Sequence, residues 1–376
     1  MTRNLLYIFS FICMILSLTS CGKSNDEPKK NTTRTIAIYM IATNTLSSCD
    51  VDDIAEIETA IEKNGMNNCR LLIYWVSKSG APQLIEITTE KKSVKRVVHK
   101  VYSSDIRSTT IERMKEVFTD ILAIAPAEDY GLILWSHASG WASSLTARSN
   151  VSLLDFGDDY GSTMPIDELA EGIPEGVFSF IYTDACYMSG VEVVYELRNK
   201  TKYFIGSVTE LPIYGMNYTT NIPCFFSTNL DLTQSCKNTF NHYNKQSGSA
   251  RTCTISLIDC SKLDQLAALC KKIHANGTSV TDVSSIQIYK RNIPYLFYDF
   301  VQYTEMLATE EQKIALRNLM DKVVIYKATT PYIFSTLAIK EENYSGLSTY
   351  ILGTTQSSGV NERYYKTLSW YKDVIE

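Results

Sequence analysis

The amino-acid sequence of 376 residues lacks several patterns that would place it in a familiar class. It has no long run of basic residues and a net charge of only −5, so nucleic acid is not expected as a partner. Its ten cysteines include no C-x-x-C pair, which argues against a zinc site. Histidine is scarce, with four in the chain, and no internal repeat is visible. Any histidine with a chemical role therefore belongs to a very small set.

The N-terminal segment predicts an export signal and not a part of the fold. After Arg3, residues 5–18 are apolar but too few for a membrane-spanning helix. The segment ends in Leu-Thr-Ser-Cys, which resembles the lipobox of bacterial lipoproteins, although Thr19 is less usual there than alanine or serine. This interpretation assigns residues 1–20 to a lipoprotein signal peptide and makes Cys21 the lipidated mature N-terminus. An ordinary secretory signal and an uncleaved anchor are the alternatives.

Residues 21–33 are polar and predict a flexible tether between the lipid and the fold. Asp26 and Glu27 lie near the lipid and resemble the acidic export signal of some Gram-negative lipoproteins. We therefore expect a protein of the bacterial cell envelope that a lipid anchors to the bilayer. The expected location is the outer membrane, at its periplasmic or its surface face.

Apolar runs of strand length alternate with helical patterns from residue 34 to about residue 220. Buried strands are expected at 34–42, 71–76, 131–135, 177–183 and 202–208, with helices between them. This alternation predicts an α/β sandwich of three layers with a mostly parallel central sheet. Beyond residue 220 the pattern becomes mixed, so residues 221–376 are expected to form an α+β region packed on a core of residues 34–220. Its expected elements include helices at 293–307 and 310–324 and a strand at 344–352.

Two of the expected strands lead into turns of small and polar residues that carry a reactive side chain. His137 lies two residues beyond Trp135, and Cys186 lies three beyond Thr183. Sites in open α/β sheets form at the carboxyl ends of parallel strands, so both side chains emerge at one edge if the strands are neighbours. A histidine beside a cysteine predicts a thiol nucleophile and its base, or a thiolate–imidazolium pair.

Each of these residues alone also has a structural explanation. Cys186 could be a buried hydrophobe and His137 a turn residue bonded to the backbone, but the remaining histidines (His99, His242 and His274) lack the strand-exit setting. A helix expected soon after Cys186 would stabilise a thiolate through its N-terminus. The backbone N–H groups of Ala138 and Cys186 could hold an oxyanion. No third residue that would extend the dyad to a catalytic triad is evident.

The two segments resemble the motifs of the clostripain-like cysteine peptidases, which belong to the caspase–gingipain–legumain clan. That family carries W-S-H-G-x-G-W after a strand, where this chain has WSHASGW at residues 135–141. Its second motif is D-A-C-x-M-x-G-V-E-x-x-Y-E-L, where this chain has DACYMSGVEVVYEL at residues 184–197. The turn at residues 44–46 and the Gly-Leu-Ser segment at residues 346–348 are also similar, so the resemblance spans residues 34–373.

The resemblance implies a caspase-like core in which His137 is the general base and Cys186 the nucleophile. It implies an endopeptidase that cuts after arginine or lysine, with Asp184 as the acidic residue of the specificity pocket. Asp184 could alternatively cap the N–H groups that follow Cys186, and Glu210 could supply a second pocket charge. Ala138 departs from the family motif, which has glycine at this position. A methyl group there excludes backbone conformations that only glycine adopts.

Members of this family are often made as zymogens that cut themselves between the two motifs. In this chain that loop covers residues 142–164, and Arg148 is its only basic residue, so the bond from Arg148 to Ser149 is the candidate. Some members need calcium, and Asp155, Asp158 and Asp159 could bind it, although a plain solvated loop is favoured and no other cofactor is expected.

Two other functions stay open at this point. A transpeptidase or amidase could use the same dyad, since an amine can resolve an acyl-enzyme as well as water can. A non-catalytic cell-surface lipoprotein could be built on a decayed peptidase scaffold, and Ala138 is the one residue that supports it. A peptide or protein substrate is the expected partner, and the oligomeric state is left open.

Overall fold

The structure is a computed structural model that describes residues 32–91, 93–142, 155–293, 295–353 and 359–376. These residues form one compact unit. Cys21, the tether up to residue 31 and Arg148 lie outside the described residues. Within the described part, no helix is both long and apolar enough to cross a bilayer.

The strands of the described part are these: β1 (Arg34–Ile41), β2 (Cys69–Val76), β3 (Gln83–Glu90), β4 (Ser93–Val101), β5 (Asp129–Trp135), β6 (Phe156–Asp159), β7 (Ser162–Met164), β8 (Phe178–Asp184), β9 (Thr201–Gly206), β10 (Thr254–Asp259), β11 (Tyr298–Asp299), β12 (Val324–Thr329), β13 (Tyr332–Ile333), β14 (Leu337–Ala338) and β15 (Ser348–Thr349).

Its α-helices are these: α1 (Cys49–Asn64), α2 (Ile111–Ile124), α3 (Ile166–Gly172), α4 (Val191–Glu196), α5 (Tyr218–Phe225), α6 (Leu232–Asn244), α7 (Leu263–His274), α8 (Phe300–Leu307), α9 (Glu310–Val323) and α10 (Gly359–Tyr365).

A nine-stranded sheet in the order β12-β10-β9-β8-β5-β1-β2-β3-β4 forms the centre of the fold. Its five middle strands, from β9 to β2, are parallel, and antiparallel strands extend both sides. The carboxyl ends of β1, β5 and β8 therefore meet at one edge. Since β10 and β12 come from the C-terminal region, the central sheet crosses the boundary expected at residue 220.

Helices cover both faces of this sheet, because the side chains of each inner strand alternate between two apolar clusters. In β1, Ala37, Tyr39 and Ile41 face one cluster, while Ile36, Ile38 and Met40 face the other. Helices α2, α3, α7 and α9 pack on the first face, and α1, α5 and α6 pack on the second. The expected three-layer, caspase-like α/β fold is confirmed.

Two C-terminal elements differ from their predicted extents. Helix α8 begins at Phe300 and not near residue 293, because the Asp299 side chain caps it by accepting a hydrogen bond from the Gln302 N–H. Ahead of this cap the chain is extended, and the Tyr289 N–H donates to the Phe297 carbonyl at 2.8 Å. The late strand is reduced to Ser348–Thr349.

The eight cysteines of the described residues are all free thiols. Five of them are buried and pack as small apolar side chains: Cys69, Cys236, Cys253, Cys260 and Cys270.

Candidate active site

The two strand exits of interest are direct neighbours. Strands β5 and β8 pair in parallel, with Trp135 opposite Asp184, so His137 and Cys186 each follow this pair by two residues. Both side chains line one open cleft of about 450 Å³ at the carboxyl edge of the sheet. The cleft is also lined by Thr45, Leu46, Asp184, Glu210, Leu211, Pro212, Ile213, Arg291 and Phe334.

The His137 turn packs directly against the Cys186 turn, and a glycine makes this contact possible. Gly140 has a φ of +69°, and a Cβ there would lie 2.7 Å from the Tyr187 carbonyl oxygen. Tyr187 itself has a φ of +61°, and its N–H donates to the Thr209 carbonyl at 3.0 Å. The Cys186 turn is therefore packed against the His137 turn on one side and hydrogen-bonded to the segment after β9 on the other.

Ala138, the departure from the family motif, fits its position without strain. It is not among the residues of positive φ, and it forms a short antiparallel bridge with Phe156. The side chain is 8 % exposed and packs in the larger apolar cluster. A methyl group at this point therefore costs the turn nothing.

The surroundings of Cys186 favour the protonated thiol at neutral pH. Burial raises its pKa to about 11, and the nearby Glu210 and Asp184 charges add to the rise. The Leu211 N–H, which donates to Sγ at 3.3 Å, opposes it. The expected stabilisation of a thiolate by a following helix is wrong, since α4 begins only at Val191 and has six residues. A neutral thiol favours general-base activation over a preformed ion pair.

His137 is half-buried, and its ring is held by a hydroxyl group. Its Nε2 lies 2.7 Å from Oγ1 of Thr45, in the turn after β1. Burial lowers the pKa of His137, an effect that Asp158 opposes. The imidazole is therefore neutral at neutral pH and can accept a proton. Thr45 was not identified as a site residue from the sequence, although it follows a strand and lies in the turn at residues 44–46 that resembles the family.

Asp184 forms the acidic floor of the cleft. Its carboxylate is buried and accepts hydrogen bonds from the Met216 N–H, at 3.0 Å to each oxygen, and from the Tyr218 hydroxyl at 3.1 Å. These partners lie on the segment after β9, so Asp184 braces that segment instead of capping the turn after Cys186. Burial raises its pKa to about 6, and the hydrogen bonds oppose that rise, so it is charged at neutral pH.

A glycine and a second acid shape the surroundings of Asp184. Gly215 has a φ of +53°, and a Cβ there would lie 2.5 Å from the Asp184 carboxylate. The buried Asp53 of α1 accepts a hydrogen bond from Nε1 of Trp135 at 2.7 Å. Burial and the Asp184 charge raise the pKa of Asp53 to about 9, so Asp53 is neutral at neutral pH.

Glu210 lines the cleft but its charge is already compensated. The Arg291 side chain pairs with the Glu210 carboxylate, and its guanidinium lies 4.7 Å from the centre of the Phe334 ring. Arg291 comes from the irregular segment before α8 and was not identified from the sequence. The position expected for a second pocket charge is thus occupied by an internal ion pair.

The acidic residues considered for calcium do not converge. Asp159 accepts hydrogen bonds from Thr43 and the Ser108 N–H, and Asp158 accepts one from the Gly161 N–H. Across the described ranges, no group of three or more histidine, cysteine or acidic side chains could hold a metal ion.

Comparison with known proteins places the chain in a family. The model of the clostripain family (peptidase C11) matches residues 38–376. A structure titled as an inactive zymogen C11 protease from Parabacteroides distasonis is 34% identical, with a TM-score of 0.80 over 92% of this chain and 99% of that one. Among curated proteins none matches significantly.

A second similar structure is a secreted C11 cysteine protease from Bacteroides thetaiotaomicron in complex with an irreversible peptide inhibitor. It is 30% identical, with a TM-score of 0.79 over 91% of this chain and 98% of that one. The order of strands, the paired strand exits and these similarities agree: the chain belongs to the clostripain family of cysteine proteases.

Proposed function

We propose that this protease is an endopeptidase that cuts after arginine or lysine, with His137 as base and Cys186 as nucleophile. One observation carries the proposal: a charged Asp184 lies at the floor of the cleft that both residues line. Among the described residues that line the cleft, Asp184 has the one carboxylate without a cationic partner, because Glu210 is paired with Arg291. A guanidinium or ammonium group of the substrate would pair with Asp184.

The walls of the cleft suit the rest of a basic side chain. Leu46, Leu211, Pro212 and Ile213 line it and offer apolar surface for the alkyl part of lysine or arginine. The Leu211 N–H and the Met216 N–H fix Cys186 and Asp184 to the same segment. The segment from Leu211 to Met216 would therefore support both the nucleophile and the carboxylate that recognises the substrate.

The chemistry follows from the protonation of the two groups. As Sγ of Cys186 attacks the substrate carbonyl carbon, His137 takes the thiol proton, and an oxyanion forms that the N–H groups of Ala138 and Cys186 would stabilise. The imidazolium then protonates the leaving amine, the C–N bond breaks and a thioester remains. Water attacks the thioester with His137 again as base, which releases the acid and restores the thiol.

A mixed peptide library tests this function. Incubated with the full-length chain, it should be cut on the carboxyl side of arginine and lysine, and mass spectrometry of the products locates each cut. The His137→Ala variant serves as the control and should leave the library intact. Cuts after acidic or apolar residues would refute the basic preference, and products formed by joining two peptides would identify a transpeptidase instead.

We also propose that the protein matures by cutting itself after Arg148. The support is the family's processing in this loop and the zymogen described for the similar Parabacteroides distasonis protein. Cleavage would release the segment between the two motifs from its covalent constraint. The dependence of this cut on Cys186 gives the proposal its test, because an inert variant should stay whole.

The N-terminal lipid is a further proposal, supported by the apolar stretch and by Cys21. Expressed in a bacterial host with labelled palmitate, the protein should become labelled, and the Cys21→Ser variant should not. The matched variant Thr19→Ala, which makes the lipobox more typical, should retain the label. Equal labelling of the Cys21→Ser variant would refute the lipid attachment.

A further inference from the structure

We propose that Thr45 is a positioning residue of the protease: its hydroxyl fixes the His137 ring so that Nδ1 takes the proton of Cys186. The inference rests on the function proposed above. Its basis is the 2.7 Å contact between Oγ1 of Thr45 and Nε2 of His137. With Nε2 engaged, Nδ1 is the remaining ring nitrogen for the thiol.

The direction of this hydrogen bond follows from the chemistry. A neutral imidazole carries one proton, and a base must offer a nitrogen without one, so Nε2 holds the proton and donates it to the Thr45 oxygen. When Nδ1 accepts the thiol proton, the Nε2–H group still donates to the same oxygen. The bond therefore persists in both protonation states and keeps the ring plane fixed while the proton moves.

The turn that presents Thr45 is itself braced. The Asn44 side chain donates to the Ile41 carbonyl at 3.2 Å and to the Asp158 carbonyl at 2.8 Å, and its oxygen accepts from the Leu46 N–H at 2.8 Å. Such an Asx-type bond holds the residue that follows the asparagine in a defined orientation. Thr45 thus lies on a fixed turn although its own side chain is exposed.

Sheet register places this turn beside the histidine. Strands β1 and β5 pair in parallel with Met40 opposite Trp135, so the residues after them leave the sheet together. A hydroxyl group in this position differs from a carboxylate, because it orients the ring without adding a negative charge. That difference agrees with a His137 that stays neutral at rest.

Replacement of the hydroxyl measures its contribution. In the full-length chain, Thr45→Val should lower kcat on an arginine peptide about tenfold, the loss expected for one hydrogen bond, with KM unchanged. Thr45→Ser keeps the hydroxyl and should stay within about twofold of the wild type, given rotamer effects of this size. Thr119→Val, on an exposed helix position, is the matched control and should change neither constant.

A spectroscopic measurement separates orientation from general damage. The 15N shifts of the four histidines report which ring nitrogen is protonated, and the His137 signal should show the Nε2–H form in the wild type and in Thr45→Ser. In Thr45→Val the two forms should mix, while the melting temperature stays close to that of the wild type. An unchanged kcat, or an unchanged tautomer, in the valine variant would overturn the inference.

The His137→Ala variant distinguishes this failure from failure of the proposed function. If His137→Ala is inactive and Thr45→Val is fully active, only the positioning role is wrong. If His137→Ala cleaves as well as the wild type, or if the wild type cleaves nothing, the proposed dyad is wrong. The positioning role of Thr45 is then also wrong.

Discussion

Replacing Cys186 by alanine is expected to lower peptidase activity about 10⁴-fold or more, the scale of loss when a covalent nucleophile is removed. No other described cysteine lines the cleft, so no thiol can substitute for it. His137→Ala should cause a loss of similar size, because the thiol is neutral and needs a base. The losses should not add in the double variant, since the two groups act as one unit.

The measurement is the cleavage rate of a fluorogenic arginine peptide, together with the size of the chain on a denaturing gel. Wild-type protein should separate into two chains at the bond after Arg148, and the Cys186→Ala protein should remain whole. Cys224→Ala, which removes a partly exposed thiol outside the cleft, should behave as the wild type. Cleavage of the Cys186→Ala protein at Arg148 to the wild-type extent would contradict self-processing.

Replacing Asp184 by asparagine is expected to lower kcat/KM for arginine and lysine peptides by about 100-fold or more. The change keeps the shape and removes the charge, and loss of a buried charged partner costs about 2–5 kcal/mol. Most of the loss should appear in KM. Because the pKa of Asp184 is raised to about 6, the wild-type KM should rise as pH falls below about 6, where the carboxylate becomes protonated.

In Asp184→Asn the KM should no longer depend on pH in this range. Asp53→Asn is the matched control, because this buried carboxyl is already neutral and an amide oxygen can still accept the Trp135 hydrogen bond. Its kcat/KM should stay within about tenfold of the wild type, as expected for one neutral hydrogen bond. Retained preference for basic residues in Asp184→Asn would show that another group recognises the cation.

The parts of the site that could be predicted from the sequence are those adjacent to a strand end in the chain. His137, Asp184 and Cys186 follow β5 and β8 directly, so local patterns and the rule for parallel sheets bring them together. Thr45, Asp53 and Arg291 come from three other segments. Their roles depend on which strand lies beside which, on how α1 packs and on an irregular segment, and none of these leaves a local pattern.

For the fold as well, the elements that leave a local pattern in the sequence could be predicted and the others could not. The inner strands read as continuous apolar runs, and their positions were predicted to within a few residues. Strand β12 was missed because it is a half-exposed edge strand that includes a lysine, Lys327. The expected helix from residue 293 fails in its first part because Leu296, Phe297 and Tyr298 are buried as an extended segment.

Ala138 was the one residue that supported a non-catalytic scaffold. Its ordinary backbone conformation removes that support, because the turn does not require glycine at this position. The glycine that the motif does require, Gly140, is present.

The protonated state of Cys186 has a consequence for the protein's chemical durability. Peroxides and alkylating agents react with thiolates, and a thiol with a pKa of about 11 offers almost none at neutral pH. The sulfur becomes nucleophilic only as His137 removes its proton during attack on a bound carbonyl. At neutral pH a molecule without substrate therefore presents mainly the thiol, and we expect Cys186 to react more slowly with such agents than an exposed cysteine of ordinary pKa does.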